Sequence, residues 1–384
     1  MYKVLLISSK NWDSLKEIPV VLKNAGCEVD IYAAKGSWVL ANRFHDKWIE
    51  ASIDENKFTD DLLTFLERHA HEYNWIIPGD DIIIRQLNDR ITSDELFKKV
   101  MPVTKIENRA LLGSKAGLSA LCKQYNIKTP KYLIYDESQT VDSIADYMGF
   151  PIMVKEDESE GGYGVFRCDN INELKEIFNK IKNRNNLVFQ QLIEGEDINT
   201  EALYKDNKLM VYNHSLRMKT IGTFGISTKR VFYQNEALDE ILINIGDKLG
   251  LNGFGNIVFI QDNKTKEYYL IEIDMRPNSW MYYGKFTGND FTLAIKNIIN
   301  NNLILLKPSK KLSNRKRVIS IYKKDIYRCI TTKDIGGLFY WLINRDDCWS
   351  YIPVYDRKLF KAVNKHLFNT IKEYIHAKTK KAVA

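Results

Sequence analysis

Along the first hundred residues the apolar positions switch period repeatedly, as they do when strands alternate with helices. Tyr2–Ser8 is a compact apolar run, Ser14–Ala25 carries helical spacing until Gly26 stops it, and Glu28–Ala33 resumes a strand. Asp60–Glu72 is a second amphipathic helix, and Asn74–Ile77 a strand cut by Pro78-Gly79-Asp80-Asp81. This alternation predicts a parallel sheet, whose ligands lie beyond the carboxyl ends of the strands. Ser8, Ser9, Lys10, Asp80 and Asp81 fall on that rim. Asp81 is expected to cap the following helix, and Asp80 stands between capping and substrate contact. No Gly-x-Gly-x-x-Gly follows the first strand, which argues against a dinucleotide site.

Past a connector at Met101–Gly113 the pattern gives a helix at Ser114–Tyr125, a strand at Lys131–Tyr135, a short helix at Asp142–Met148 and a buried strand at Pro151–Lys155. Glu156–Gly164 then forms a glycine-rich tip before Val165-Phe-Arg, so the segment is a hairpin lid. Leu187–Ile193 and Ile198–Tyr204 are strands around Glu194-Gly-Glu-Asp197, further strands run to Phe232, and Ala237–Leu249 is a helix. A second hairpin covers Asn252–Asp274. Its strand Tyr268–Asp274 alternates sides, so Glu272 and Asp274 share one face while Ile271 and Ile273 share the other. Beyond Leu305 come a strand at Val318–Tyr322, helices near Gly336–Asn344 and Leu359–Ala377, and a frayed end at Lys378–Ala384. No repeat is visible.

Composition narrows the class. The 384 residues allow two to three domains, and 45% hydrophobic with 27% charged residues is ordinary for a soluble protein. With no apolar run near 18 residues and no signal peptide at the start, the expected location is cytoplasmic, without membrane. Five scattered cysteines indicate neither a zinc site nor a disulfide framework. Of the net charge of +7, Lys307–Ala384 contributes 19 basic against 6 acidic residues, or +13, leaving −6 in the rest. That tail reads as a solvated surface rather than a nucleic-acid site, since no nucleic-acid module accompanies it.

The chemistry gathers at a few places. Glu272, Asp274 and the fork of Arg276 suit a divalent cation beside a phosphate or carboxylate. Lys155 ends a buried strand, and the glycines at 161, 162 and 164 can present backbone N–H groups to phosphate oxygens, although no Gly-Lys-Ser or Gly-Lys-Thr makes this a Walker loop. The extended chain after Leu187 offers backbone groups to an adenine edge, and an acid just beyond it can take ribose hydroxyls. His214 reads as a core or strand-surface residue.

Taken in order, Lys115, Lys155, Gly161-Gly162-Tyr163-Gly164, Phe189-Gln190-Gln191-Leu192-Ile193 with Gly195-Glu-Asp197, and Glu272-Ile-Asp274-Met-Arg276 resemble the ATP-grasp superfamily, nearest its carboxylate-amine ligase branch. The resemblance covers about residues 1–300. It implies an α/β chain, α+β in its ATP-grasp part: a Rossmann-like domain at 1–105, a small lobe with the glycine lid at 106–201, a large lobe with the metal site at 202–306, and a basic extension at 307–384 packed on the large lobe. It implies ATP and Mg2+. Lys115 and Lys155 would grip phosphates under the 161–164 loop, Gln190–Ile193 would hold adenine, Asp197 the ribose, Glu272 and Asp274 the metal, with Arg276 and Lys155 catalytic. Arg217, Arg230 and Asp80 are candidates for the substrate. Two departures stand out. Asp274 replaces the usual Asn, and Val258 replaces an acidic metal ligand; either Asn256 on the same face supplies the missing oxygen or the site has only two acids. The implied activity joins a small carboxylate to an amine through an acyl phosphate, and a homodimer is compatible. The rivals are a nucleotide-binding scaffold without turnover, a D-amino-acid ligase and a bicarbonate-using carboxylase.

Overall fold

The computed structural model describes residues 1–159, 161–222, 225–307 and 316–383. Strands β1 (Tyr2–Ser8), β2 (Cys27–Ala34), β3 (Lys47–Ala51) and β4 (Trp75–Pro78) form a parallel sheet in the order β3–β2–β1–β4. The expected βαβ opening is therefore present. Central strand β1 is apolar from Val4 to Ile7 because helices cover both of its faces there, and Val4, Leu5, Leu6 and Ile7 are fully enclosed.

A four-stranded antiparallel sheet follows: β5 (Tyr132–Ile134), β6 (Ile152–Lys155), β7 (Val165–Cys168) and β8 (Val188–Gln191), ordered β5–β8–β6–β7. The third sheet holds β9 (Gly195–Lys205), β10 (Lys208–Thr220), β11 (Ser227–Phe232), β12 (Gly253–Asp262), β13 (Tyr268–Asp274) and β14 (Arg317–Ser320). It is antiparallel, in the order β13–β12–β9–β10–β11–β14. The change of sheet falls between Gln191 and Gly195, ahead of the division expected at 201/202.

Packing divides differently from sheet membership. Leu5, Ile7 and Leu62 share a core with Ala202, Tyr204, Ile257 and Ile273, and Val4, Leu6 and Leu22 share another with Leu203, Phe254 and Ile295. The parallel sheet and the six-stranded sheet are thus welded together. The four-stranded sheet has its own core around Ile152, Val154, Leu174 and Phe189. The cleft between the lobes consequently joins two separately packed bodies.

Period-two alternation explains the large sheet's two faces. Ile198, Ala202, Tyr204, Ile257, Phe259 and Ile273 turn into the core. Cross-strand pairing sets Asp274 opposite Asn256, Asn256 opposite Glu201, and Glu201 opposite Asn213, so a polar row crosses the other face. His214 belongs to the core side. It is fully enclosed between Tyr212 and Tyr233, ring centroids 5.8 and 4.6 Å away, and neither ring nitrogen has a hydrogen-bond partner. Burial, only partly opposed by Asp239, lowers its pKa to about 4. The unfolded chain, with an ordinary histidine, therefore binds more protons than the folded one between about pH 6.5 and 4, and stability falls as pH drops through that window. His214→Phe should remove about 3 kcal/mol of that acid-side loss, read from urea melts at pH 7 and pH 4.

The C-terminal extension adds β14 to the edge of the large sheet, then helices Tyr322–Thr331, Ile335–Ile343 and Arg357–Val383. The strand expected at Val318–Tyr322 thus ends at Ser320, and the last helix takes in most of the residues expected to fray. The extension also reaches the N-terminal domain, where Asp356 accepts from Arg43 N (2.8 Å), Lys358 donates to Leu40 O (2.9 Å), and Trp38 packs on Leu359 and Val363. Among the described residues no helix is long and apolar enough to cross a membrane.

Candidate active site

Two cavities meet in the cleft. A cavity of about 310 Å³ lies between the small sheet and the large one, lined by Lys115, Lys155, Gln190–Ile193, Asp197 and Val258 among others. A cavity of about 810 Å³ lies between the large sheet and the carboxyl end of the parallel sheet. They share Gly162, Asn199, Arg217, Asn256 and Glu272. Nearly every residue singled out from the sequence borders one or the other.

Lys155 closes β6, and its Nζ lies 2.5 Å from Gln190 Oε1. Burial, reinforced by Lys115 and opposed by Glu272, lowers its pKa to about 8. Lys115 opens helix Lys115–Gln124, capped by Ser114, which accepts from Gly117 N (2.9 Å). Its ammonium donates to Asp157 O (2.9 Å) and Ser159 O (2.8 Å), so it seats the glycine loop. Gly161, Gly162 and Gly164 all have positive φ, and Glu156 N donates to Gly164 O (2.8 Å), closing the hairpin. Gly161, Gly162 and Tyr163 line the large cavity, whereas Gly164 serves the turn.

Three placements differ from expectation. β8 is flanked on both sides, so the backbone of Gln190 is engaged in the sheet, Gln191 N donates to Lys131 O (2.8 Å) and Leu192 N to Pro151 O (3.4 Å); past the strand end the Leu192 carbonyl and Ile193 are left to meet an adenine edge. Gln190 contributes its side chain instead. Of the two acids at the start of the third helix, Asp81 does not cap as expected, and Asp80, open between capping and substrate contact, takes the capping role. Asp80 caps helix Asp81–Arg90 through Ile83 N (3.0 Å) and also accepts from Ser9 N and Ser9 Oγ (2.9 and 2.7 Å), which uses up its oxygens and removes it from the substrate. Asp81 pairs with Arg276. Finally, Arg217 pairs with Asp197, so ribose contact by Asp197 competes with that partner.

Arg276 is the centre of the acid cluster. It forms a close ion pair with Asp81, donates to Asp274 Oδ2 (2.9 Å) and stacks 4.3 Å over Trp12. Burial disfavours its charge, but Asp81 and Asp274 outweigh this and raise its pKa. Asp274 is itself raised by burial, then lowered by Arg276 and raised again by Asp81 and Glu272. With all three ionised, the state a cation would favour, Asp81, Glu272 and Asp274 exceed Arg276 by two negative charges, a surplus and a hard-oxygen donor set that fit a divalent cation such as Mg2+. Asn256 donates its amide to Glu201 Oε1 (3.2 Å), which leaves its carbonyl oxygen for the cavities it lines. Among the described residues no group of three or more His, Cys, Asp or Glu could hold an ion unaided.

Sequence reasoning passed over Glu201. It is fully buried on β9, and Oε1 accepts from Arg230 (2.8 Å), Asn256 (3.2 Å) and Asn278 (3.4 Å), while Oε2 has no partner. Arg230 also holds Asn199 and stacks 4.4 Å over Trp280. The signal was present: Asp197, Asn199 and Glu201 repeat with the same period that singled out Glu272 and Asp274.

In this architecture a parallel sheet is welded to a large antiparallel one, and a smaller antiparallel lobe closes over paired carboxylates and lysines. Within it, residues 113–215 match the RimK-like ATP-grasp domain. The phosphoribosylamine–glycine ligase of Fusobacterium nucleatum is 21% identical over 307 residues, which is 73% of this chain and 68% of that protein. The D-aspartate ligase of Enterococcus faecium is 22% identical over 219 residues, 51% of this chain and 50% of its own length. Among solved structures, the biotin carboxylase domain of Hydrogenobacter thermophilus 2-oxoglutarate carboxylase, in complex with MgADP, ADP and bicarbonate, superposes with a TM-score of 0.62 at 16% identity, covering 85% of this chain and 76% of that one.

Proposed function

We propose that the chain is an ATP-dependent carboxylate-amine ligase, acting on small substrates in the cytoplasm. The observation that carries this is the junction of the two cavities: lysines and a strand end in a nucleotide-sized cleft, and Glu272, Asp274 and Arg276 where that cleft opens into a second, larger cavity. Relatives named as ligases and a structural neighbour solved with MgADP support it. In the reaction, a carboxylate oxygen attacks the γ-phosphorus and the bond to ADP breaks; an amine then attacks the acyl carbon and phosphate leaves. Glu272, Asp274 and the Asn256 carbonyl are the residues to hold Mg2+, which when bound neutralises charge on the β- and γ-phosphates. Lys155 supplies positive charge in the cleft while it is protonated, Lys115 does so by exchanging one of its loop carbonyls, and Arg276 stabilises the oxygens of the transferring phosphoryl group. The glycine loop keeps water from the activated acyl group.

Incubating the chain with magnesium ATP and pooled amino acids should release phosphate and give a product lighter by one water than its two reactants, read by mass spectrometry. ATP binding without phosphate release from any pool would instead favour a scaffold without turnover, a reading motivated by Val258, which faces Glu272 across the β12–β13 pair. A pH profile tests the lysine. Because the Lys155 pKa lies near 8, its charge is present below and lost above that pH. The kcat/KM for ATP should fall about tenfold per unit above pH 8, and Lys155→Arg should remove the inflection.

A further inference from the structure

Helix Tyr322–Thr331 of the C-terminal extension lays two lysines on the turn that follows β1. Lys323 Nζ lies 2.7 Å from one carboxylate oxygen of Asp13, and Lys324 Nζ 3.3 Å from the other. Lys16 approaches the same turn from below, donating to Asp13 O (3.1 Å) and pairing with Glu17 (3.0 Å). These five side chains are only 3–12% exposed. Three ammonium groups thus share two carboxylates, and the cluster holds an excess positive charge even with both acids ionised. Part of the basic tail is therefore not the solvated surface expected of it.

Uncompensated charge removed from water is unfavourable, so the excess calls for an anion wherever the cluster opens. Of the five residues, Lys324 is the one that lines the large cavity, together with Asn11 and Trp12. Lys10, Arg85, Arg217, Arg230 and Arg276 border the same cavity, but the last three face protein carboxylates with no cation in excess, respectively Asp197, Glu201, and Asp81 with Asp274, whereas at Asp13 and Glu17 three ammonium groups share two carboxylates. At about 810 Å³ the cavity has room for an elongated molecule. We infer that the carboxylate substrate carries a second anionic group, a further carboxylate or a phosphate, and that Lys324 receives it. The C-terminal extension is then part of the substrate site. This deepens the ligase reading and rests on it for the reacting end of the molecule.

Calorimetric titration of the full chain, with ADP and Mg2+ present, against aspartate, glutamate and phosphoserine and their neutral counterparts asparagine, glutamine and serine tests it. At least one anionic member should bind about tenfold or more tightly than its neutral counterpart, and Lys324→Met and Lys324→Gln should each reduce that preference to about twofold or less. Unchanged ADP affinity in both variants shows that they fold, since Asp13 keeps Lys323 and Lys16. Preference for the carboxylate pairs or for phosphoserine distinguishes the two sources of the anion. Equal binding of neutral members, a preference that survives both substitutions, or no binding at millimolar concentration overturns the inference. Phosphate release is followed in parallel reactions that hold magnesium ATP in place of ADP, each member of the panel and pooled amino acids as amines: anion-selective binding without release removes the ligase reading and leaves the site, whereas release with neutral members alone keeps the ligase and removes the site.

Discussion

Arg276→Met should lower phosphate release by about 10²- to 10³-fold, the loss seen when a preorganised donor to a developing charge is removed. The same substitution strands Asp81 and Asp274 without their cation, and breaking a buried pair by deleting one partner costs about 3–5 kcal/mol. Activity and stability should therefore fall together, the second read from urea melts. Arg276→Lys separates them. A lysine keeps one charge beside Asp81 but lacks the planar fork that reaches Asp274 simultaneously and lies over Trp12. It should recover much of the stability and little of the rate. Release within about threefold of wild type in Arg276→Met would remove Arg276 from the chemistry, because an effect of that size is about 0.6 kcal/mol and within the range of indirect changes.

How much of this was legible follows from what each feature depends on. The βαβ opening, the glycine hairpin and the acid pair on β13 depend on local periodicity, which the sequence displays directly. Asp80 and Asp81 show the limit. Both precede a helix, and either could cap it; which one does depends on Ser9 and on Arg276, nearly two hundred residues away, and hence on tertiary structure. A strand that borders a cleft would offer the backbone of Gln190 and Gln191, yet β8 acquires neighbours on both sides. Strand order is set by long-range pairing and leaves little trace in a single strand. The extension was harder still. Lys323 and Lys324 look like two more charges of a solvated tail until helix Tyr322–Thr331 sets them against Asp13.

Glu201 was the legible residue that went unread, and its removal should have the second large effect. Glu201→Leu deprives the buried Arg230 of its carboxylate and should cost about 3–5 kcal/mol. Since burial raises the Glu201 pKa against the pull of Arg230, and one oxygen goes unpartnered, the pair is held at a high desolvation cost. Replacing both ends with apolar side chains should then be mild: Glu201→Leu combined with Arg230→Met should melt within about 2 kcal/mol of wild type, far from the sum of the single variants. Activity should not follow stability back. Asn256 and Asn278 both donate to Glu201, and Arg230 lines the large cavity, so the double variant loses what fixes the cavity's polar wall even when its fold is restored. Recovery of phosphate release along with the melting midpoint would show that Glu201 and Arg230 only hold the sheet together. Recovery of stability alone would show that the polar row across β13, β12 and β9 is retained for the site it builds.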